Sequence, residues 1–595
     1  MKKRNLILVI VGLLSLNSCK GLLDHEPINA ISAEEFFDSE SALKTYANGF
    51  LTRYLPSVAS LTRGDEFSDI VVTTQTEAFL KPGYNALSAN NWTTSNWAQL
   101  HNVNYFLANI NRATPNVGEA TMKHYEGVGR FWRAWFYWEK VKLFGDVPWY
   151  DETIDPDDEE MLYKGRDSRD FVMEKVLEDL NYAVANCSDE SKYVHKNVIN
   201  RYVALALKSR ICLYEGTFRK YHGLEGSEAW LRESLDASEQ LMNDGTYSLV
   251  NIVGEEETNY GKVFKSLTPQ YQEIILSNEM SLEENRVHDA SWYFASGTAG
   301  MRNSVTKAFV NMYLNRDGSR YTDQQGYNQK VFYEEFQNRD HRLVQSIITP
   351  AYRKVVSGTE TNEFSKIFPG LGAQLTYYRV IKWNMDNDAY ESNTSSLNSL
   401  SVFRFGEVLL NYAEAKAELG EMGTTEWNRS IRPLRERSGV NGKEPDNADP
   451  YLEEYYDGLS DKWILEIRRE RAIELLLEDV RRDDLMRWKM GHKLIVEMAG
   501  IYIPEVGKPF DLNGDGINDI CFYSTTIPRP STTESTVTYV QITAQEGDAA
   551  TTFGINADNN LVYRLERIWD DKMYLHPIPQ VANNINPNLG QNEGW

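Results

Sequence analysis

Cysteine is scarce in this sequence, with four residues in 595. One is Cys19, near the start; the others are Cys187, Cys212 and Cys521. A chain this long can bury a core that needs no covalent staples, so these three read as buried free thiols, with one disulfide left open. Positive charge is also short: 62 Lys and Arg against 86 Asp and Glu leave a formal net charge of −24. Binding to nucleic acid rests on cations that neutralise phosphates, so a nucleic-acid partner is disfavoured. Beyond the first twenty or so residues no apolar run is long enough to span a bilayer. Catalytic signatures are missing too: the sequence holds no His-Glu-x-x-His, no Gly-x-Ser-x-Gly and no phosphate loop.

What is present begins with MKKRNLILVIVGLLSLNSC. Three basic residues, an apolar run from Leu6 to Leu16, and then Asn17, Ser18 and Cys19 have the layout of an export signal. Leu16-Asn17-Ser18-Cys19 is similar to a bacterial lipobox, in which the signal is cut before a cysteine that is then acylated. A small residue is usual where Asn17 stands. Residues 1–18 are therefore read as a signal peptide and Cys19 as the lipidation site. The alternative is an ordinary signal with an incidental cysteine. The mature protein is expected to be a soluble body tethered by lipid.

From about residue 32 the chain reads as successive helices. Ser32 and Glu35 have capping-box spacing. Thr121 to Phe144 is rich in aromatics and is stopped by Gly-Asp-Val-Pro. Periodic apolar positions predict further helices over 170–185, 200–216, 229–245 and 403–420, with a partner near 427–437. Ala204, Ala206 and Ala237 are small residues suited to helix contacts. The pattern suggests tetratricopeptide-type hairpins, although no strict period is present. Between these lie irregular stretches near 60–100, 250–305, 355–400 and 495–565. In the last, TVTYVQIT (Thr536–Thr543) alternates like a strand and predicts a small β-hairpin.

The most charged stretch, RRERAIELLLEDVRRDDLMRWK (Arg468–Lys489), carries seven basic and six acidic side chains. Ile473, Leu476, Leu477 and Val480 fall on one stripe of a continuous helix. Pairing of Glu478 with Arg481 or Arg482, and of Arg471 with Glu474, is expected along its flanks. Adjacent acids such as Asp157–Asp158 and Asp483–Asp484 read as solvated. The balanced charge predicts a scaffold helix.

Ile467–Trp488 resembles the signature segment of the SusD/RagB family of surface lipoproteins. Gly21–Phe37, Arg130–Tyr150, Asn338–Leu343, Phe403–Gly420, Asn428–Val440 and the terminal MYLHPIPQVANNINPNLGQNEGW resemble other family segments in the same order. The resemblance implies a mostly α fold, with tetratricopeptide-like hairpins supporting a loop-rich ligand face. It also implies an N-terminal helical region (19–260) and a C-terminal region (261–595, with a loop insertion at 495–565) packed as one unit. The implied role is capture of an oligosaccharide, or less often a peptide, at the outer membrane. The implied partner is a SusC-like TonB-dependent barrel transporter, and the implied activity is binding without catalysis. A glycoside hydrolase and a peptide-binding helical scaffold are the alternatives.

Sugars are gripped by flat aromatic faces and planar polar groups. The loop candidates are Asp65, Tyr84, Asn91 and Trp92 in the first irregular stretch, and Trp292, Tyr293 and Phe294 in the second. Each could equally pack its loop onto the frame, and Trp97 is read as packing. Asp511, Asn513, Asp515, Ile517 and Asp519, with Gly516 between, have the spacing of a calcium loop. Phe522 replaces the usual bidentate Glu, so a calcium-stiffened surface loop is expected, against an Asx-rich turn without metal. No catalytic cofactor is expected.

Overall fold

The computed structural model describes residues 36–189, 197–295, 303–364, 374–543 and 552–595. Residues 1–18, Cys19 and the Ser32–Glu35 spacing lie outside the described residues. The long helices are α1 (Glu40–Tyr54), α2 (Thr94–Asn109), α3 (Glu119–Phe144), α4 (Arg169–Asn186), α5 (Arg201–His222), α6 (Ser227–Asp244), α7 (Phe405–Glu418) and α8 (Lys462–Glu474). The glycine stop signals act at the ends of α3 and α6, where Gly145 and Gly245 adopt φ of 71° and 77°. One glycine was misleading. Helix α5 runs through Gly216 and ends at Gly223, φ 74°. A Cβ on Gly216 would lie 2.8 Å from the Leu231 side chain and 2.9 Å from its backbone nitrogen. Gly216 therefore lets α5 and α6 touch closely.

Helices α3 and α4 pack together, as do α5 and α6, and α7 joins α6 to α8. The α5–α6 pair is the one expected between 200–216 and 229–245, and the fold is mostly α. Arg133 on α3 clamps Asp179 on α4 through two hydrogen bonds of 2.7 and 2.9 Å. The largest cluster of buried apolar side chains draws on residues from Phe37 to Leu589, and two small ones lie around Leu231 and around Met498. Cys187, Cys212 and Cys521 are buried and free, so no disulfide forms among them. No described helix is long and apolar enough to cross a membrane.

Strands are short. The stretch read as helix from Phe403 opens as a strand, Leu400–Arg404, antiparallel to Ile274–Asn278. The predicted strand in TVTYVQIT exists at Thr538–Gln541, but it pairs in parallel with Ile520–Tyr523 and so forms no hairpin. Hairpins occur instead at Arg353–Val356 with Thr359–Asn362, and at Phe553–Ile555 with Asn560–Tyr563. Ser357 and Gly358 turn the first with φ of 49° and 82°, as a tight two-residue loop requires.

The charged stretch departs most from expectation. It is not one helix. Helix α8 stops at Glu474, residues 475–480 turn, and α9 spans Arg481–Arg487. Leu477 and Asp479 take φ of 56° and 62°, a conformation that breaks the helical repeat. The carbonyls freed by the break need donors, and buried side chains supply them. Tyr260 Oη and Arg404 Nη2 each donate to Glu474 O at 2.8 Å, Lys382 Nζ donates to Leu476 O at 2.6 Å, and Trp383 Nε1 donates to Leu477 O at 3.0 Å. Positive charge at a helix C-terminus also complements its dipole.

The expected local ion pairs are replaced by long-range ones. Glu478 pairs with Lys382 and Arg404, and Arg471 pairs with Asp484 and Glu414. Arg481 holds Asp69, while Arg482 holds Glu77. Asp484 is buried between Arg471 and Arg487, where a solvated acid was expected. At the centre, Glu474 accepts from Arg404 at 2.7 Å, Arg437 at 2.5 Å and Arg342 at 3.0 Å, all fully enclosed. The stretch is scaffold, as read, but its charges face inward.

Candidate functional site

The sequence WTTSNW (Trp92–Trp97) builds the first wall of the main groove. Thr93 is the N-cap of α2, and its backbone N–H donates to Asn96 Oδ1 at 2.9 Å. Trp92 precedes the cap and Trp97 is the fourth helical residue, the two positions of a hydrophobic staple. Their rings meet at 4.9 Å. Trp92 also sets its edge against Phe144 at 4.8 Å. The loop is thus anchored on the frame with one tryptophan face left at its surface.

Pro148 and Tyr150, following the Gly145 stop of α3, form the next wall. Tyr150 lies 6.4 Å from Trp97 at 76°, and its hydroxyl donates to Met161 O at 3.1 Å. The third wall comes from the far end of the chain: Val581, Ala582 and Ile585 of the helix Gln580–Ile585, with Asn586 and Leu589. Thr93, Thr94, His101, Glu152, Ile154 and Leu162 complete the rim, and the enclosed volume is about 590 Å³. Val581 and Ile585 are 69% and 67% exposed, an apolar lip that would otherwise be unfavourable on a surface.

Two polar atoms on groove residues lack partners. Asn104, which is 1% exposed, donates to the carbonyls of Tyr150 and Glu152 at 3.0 and 3.1 Å, while its Oδ1 accepts nothing. Trp97 Nε1 donates to nothing. Both atoms are closed off from the surface, so they belong to the packing behind the groove wall. Lys140 sits 5.5 Å above Trp97, and burial brings its ammonium down to about 8.

The sequence-predicted residues fall into separate places. Trp92 lines this groove. Asn91 and Tyr84 lie next to it and fasten the chain ends together. Asn91 Nδ2 is 3.2 Å from His576 Nδ1, and Tyr84 sets its edge on Phe79 and Trp595. Burial, with Arg482 nearby, drives His576 down to about 3, so it is a neutral link at ordinary pH. Asp65, Tyr293 and Phe294 are buried and present no face to a surface ligand. Asp65 accepts from the Arg481 backbone N–H at 3.0 Å and is pushed up to about 7 by burial. Tyr293 donates to Glu66 at 2.6 Å under the Arg63 guanidinium, and Phe294 packs in the core. Trp292 is half-buried on the core. Nothing brings this second group to the Trp92 groove.

The sequence reading missed Trp97, Tyr150, Asn104, Glu152 and the 581–589 wall. The Trp-Thr-Thr-Ser-Asn-Trp staple spacing was a usable signal for Trp97. The last wall had none, because its partner is roughly five hundred residues away.

The loop Asp511–Asp519 is held by its own Asx turns. Asp511 accepts from the backbone N–H groups of Asn513, Gly514 and Gly516 at 2.9, 2.7 and 2.7 Å. Asn513 and Asp515 accept from Asp515 and Ile517 N–H, each at 2.8 Å, and Asp519 accepts from Leu512 N–H at 2.8 Å. Burial first, then Asp511 and Asp515, raise the Asp519 carboxyl. Among the described residues no group of three or more His, Cys, Asp and Glu side chains is drawn together as metal ligands.

A second cavity, about 440 Å³, lies inside the frame. Its acids are tied to cations: Asp483 to Lys142 at 2.6 Å, Glu407 to Arg210 at 2.6 Å and Glu77 to Arg482 at 2.5 Å. Asp479 accepts from Ser60 Oγ at 2.5 Å and is pushed up to about 6, chiefly by burial.

A family model described as the SusD family matches residues 272–595, more than half of the chain. The chain belongs to the SusD family. A second family model, described as "Starch-binding associating with outer membrane", matches residues 22–213 of this SusD-family protein. It is 24% identical over 528 residues to SusD-like protein P25 of Formosa agariphila, covering 82% of this chain and 90% of that one. SusD-like protein P2 of the same organism is 24% identical over 539 residues, covering 86% and 95%. Among solved structures, a SusD-like protein of Bacteroides fragilis superposes with a TM-score of 0.68 at 20% identity, covering 96% of this chain and 100% of the other. Another from that organism, described as a SusD-like carbohydrate binding protein, gives 0.64 at 20% identity, covering 93% and 99%. At such identities the structural likeness establishes the fold.

Proposed function

We propose that this protein is a lipid-anchored binding protein of the outer membrane that captures an oligosaccharide in the Trp92–Trp97–Tyr150 groove. It then passes the ligand to a SusC-like TonB-dependent barrel transporter for import. The single observation that carries the reading is the groove itself, which Trp92, Trp97 and Tyr150 line with three aromatic rings beside the Glu152 carboxylate. Aromatic faces cover the C–H faces of a sugar, and polar rim residues such as Thr93 and Glu152 can hydrogen-bond its hydroxyls. Membrane attachment through Cys19 and the transporter partner rest on the lipobox-like segment and on family membership.

Holding without turnover fits the chemistry of the groove. A glycosidase needs two carboxylates within several ångströms of each other, flanking the scissile bond. Among the described residues of this groove Glu152 is the single carboxylate. The inner cavity is rich in acids, but Asp483, Glu407 and Glu77 are each engaged by a cation.

The test is a titration of the soluble mature protein against a panel of oligosaccharides and oligopeptides, with product analysis. The expected result is saturable binding of at least one oligosaccharide, recovered at its original length. Trp92→Ala should weaken that binding about 30-fold, which corresponds to about 2 kcal/mol for a buried aromatic anchor. Its melting temperature should fall only slightly, because Trp97 and Phe144 still pack on each other's neighbours. Shortened products, or exclusive binding of peptides at the apolar lip of Val581 and Ile585, would reject the reading.

A further inference from the structure

Part of the groove rim, Glu152 and Ile154, belongs to the segment DETIDPDDEE (Asp151–Glu160), with seven acids and no basic residue among ten. Glu152 and Ile154 line the groove, and so does Leu162 just beyond. Glu152, Asp155, Asp157, Asp158, Glu159 and Glu160 are all exposed, and none forms an ion pair with a described side chain. The sequence reading passed over this run as ordinary solvated acids. Its place beside the aromatic groove gives it a consequence.

No Lys or Arg is among the described residues lining the groove. The nearby cations are committed elsewhere. Lys164 is held by Asp167 at 2.6 Å and by the Trp149 carbonyl at 3.1 Å. Arg133 is clamped on Asp179. Lys140 belongs to a separate cleft of about 140 Å³. Glu152 is therefore the one Asp, Glu, Lys or Arg on the described lining, with the Lys140 and Lys164 ammonium groups 5.5 and 5.8 Å from the Trp97 and Tyr150 ring centres. Clefts with low-dielectric walls focus the field of a charge on their lining, and a screening length of about 8 Å at physiological salt leaves Glu152 within reach of a sugar in the groove.

We infer that the groove selects glycans without carboxylate or sulfate groups and turns away acidic polysaccharides. The inference rests on the groove being the glycan site. A uronate or sulfate ester placed between Trp92 and Tyr150 would find no guanidinium or ammonium on the described lining to pair with, since Lys164 beside Tyr150 is held by Asp167. It would also lie against Glu152 and the acids behind it. Neutral residues meet only the aromatic faces and the polar rim, and amino groups would be attracted.

The experiment compares matched polysaccharides: dextran, galactan, mannan, xylan and laminarin oligosaccharides, each neutral and chemically sulfated. For any neutral oligosaccharide that binds, its sulfated form should bind at least about ten-fold more weakly at low salt. That gap should narrow as salt rises to about 0.5 M, where the screening length shortens. The triple variant Asp157→Asn, Glu159→Gln, Glu160→Gln carries changes outside the groove lining. It should leave neutral binding unchanged and raise sulfated binding several-fold. Equal or tighter binding of the sulfated form would overturn the charge selection while leaving the groove assignment standing. Neutral binding that survives Trp92→Ala would instead overturn the groove assignment, and the selection with it. Failure of every neutral glycan to bind would overturn both.

Discussion

Replacing Glu474 by Gln tests whether the inward-facing charges hold the frame together. Glu474 is 0% exposed and accepts from three guanidiniums, those of Arg342, Arg404 and Arg437. Gln keeps the shape but removes the charge and turns an acceptor into a donor that faces another donor. Breaking a buried ion pair costs about 3–5 kcal/mol, because the partner charges stay buried. For 595 residues the unfolding entropy is about 1.2 kcal/mol per degree, at about 2.1 cal/mol/K per residue. A loss of about 4 kcal/mol thus lowers the melting temperature by about 3 °C. Glu421→Gln is the control. Glu421 is 36% exposed and pairs with Arg232 and Lys416 at the surface. Such pairs contribute about 0–1 kcal/mol, so the control should move by less than about 1 °C.

The pH dependence separates charge from shape. Burial alone would raise the Glu474 carboxyl, but Arg437, Arg404 and Arg342 together outweigh it and hold it far below the usual range. A depressed carboxyl contributes stability that is present above its unfolded value of about 4.3 and is lost as pH falls further. The gap between wild type and Glu474→Gln should therefore be constant from about pH 5 to 8 and close below about pH 4. Scanning calorimetry or tryptophan fluorescence at one fixed scan rate measures it, since large chains often unfold irreversibly. If Glu474→Gln melts within the control's range, or the gap persists in acid, the network does not carry the frame.

Asp65 should show the opposite sign. Burial raises its carboxyl from 3.8 to about 7, so between about pH 4 and 7 the folded state keeps a proton that the unfolded state has lost. Stability then falls as pH rises, by about 4 kcal/mol overall. Asp65→Asn keeps the contact to the Arg481 N–H; it should melt about 3 °C above wild type at pH 8 and converge with it near pH 4. Identical pH profiles would contradict this assignment. For the Asp511–Asp519 loop, an extracellular-type calcium site of about 0.1–1 mM affinity would be worth about 1–3 kcal/mol at 10 mM calcium. Chelation should then lower the melting temperature by about 1–2 °C in wild type and leave Asp515→Ala unmoved; an unresponsive wild type identifies a metal-free Asx turn.

The fold was legible wherever one helix face decides the outcome. The periodic stretches at 121–144, 170–185 and 229–245 became α3, α4 and α6 with ends shifted by a few residues. Legibility failed where a distant partner outweighs local pattern. The heptad-like spacing of Ile473, Leu476, Leu477 and Val480 predicts a helix, and all four are buried. Yet Tyr260, Lys382, Trp383 and Arg404 capture the backbone there and stabilise a break instead. Charge was misread for the same reason. A run such as Arg468–Lys489 gains local i,i+4 pairs worth only tenths of a kcal/mol, whereas Arg342, Arg435 and Arg437 offer buried partners worth far more. The site split along the same line. Trp92 was found because its loop is local, while the 581–589 wall depends on the chain's end returning to its beginning.

That return explains why so many candidate residues proved structural. Phe79 stacks on His576 at 3.9 Å, Tyr84 meets Trp595, and Arg166 donates to Asn592 at 2.7 Å. Asn586 and Asn588 donate to the carbonyls of Lys164 and Tyr163 at 2.9 and 2.8 Å. Each contact crosses more than four hundred residues, so the first loop and the last wall are positioned relative to each other by the folded frame. A groove assembled this way needs rigid neighbours on both sides, because a shift of one wall would separate Tyr150 and Trp97 from Ile585. The buried Glu474 and Asp484 networks supply that rigidity: their geometry is fixed by hydrogen-bond direction as well as by packing. Aromatic residues near the chain ends thus divide by neighbour. Those that meet another ring or a histidine across the junction join the frame, and Trp92, packed on Trp97 and Phe144 from its own end of the chain, also lines the groove.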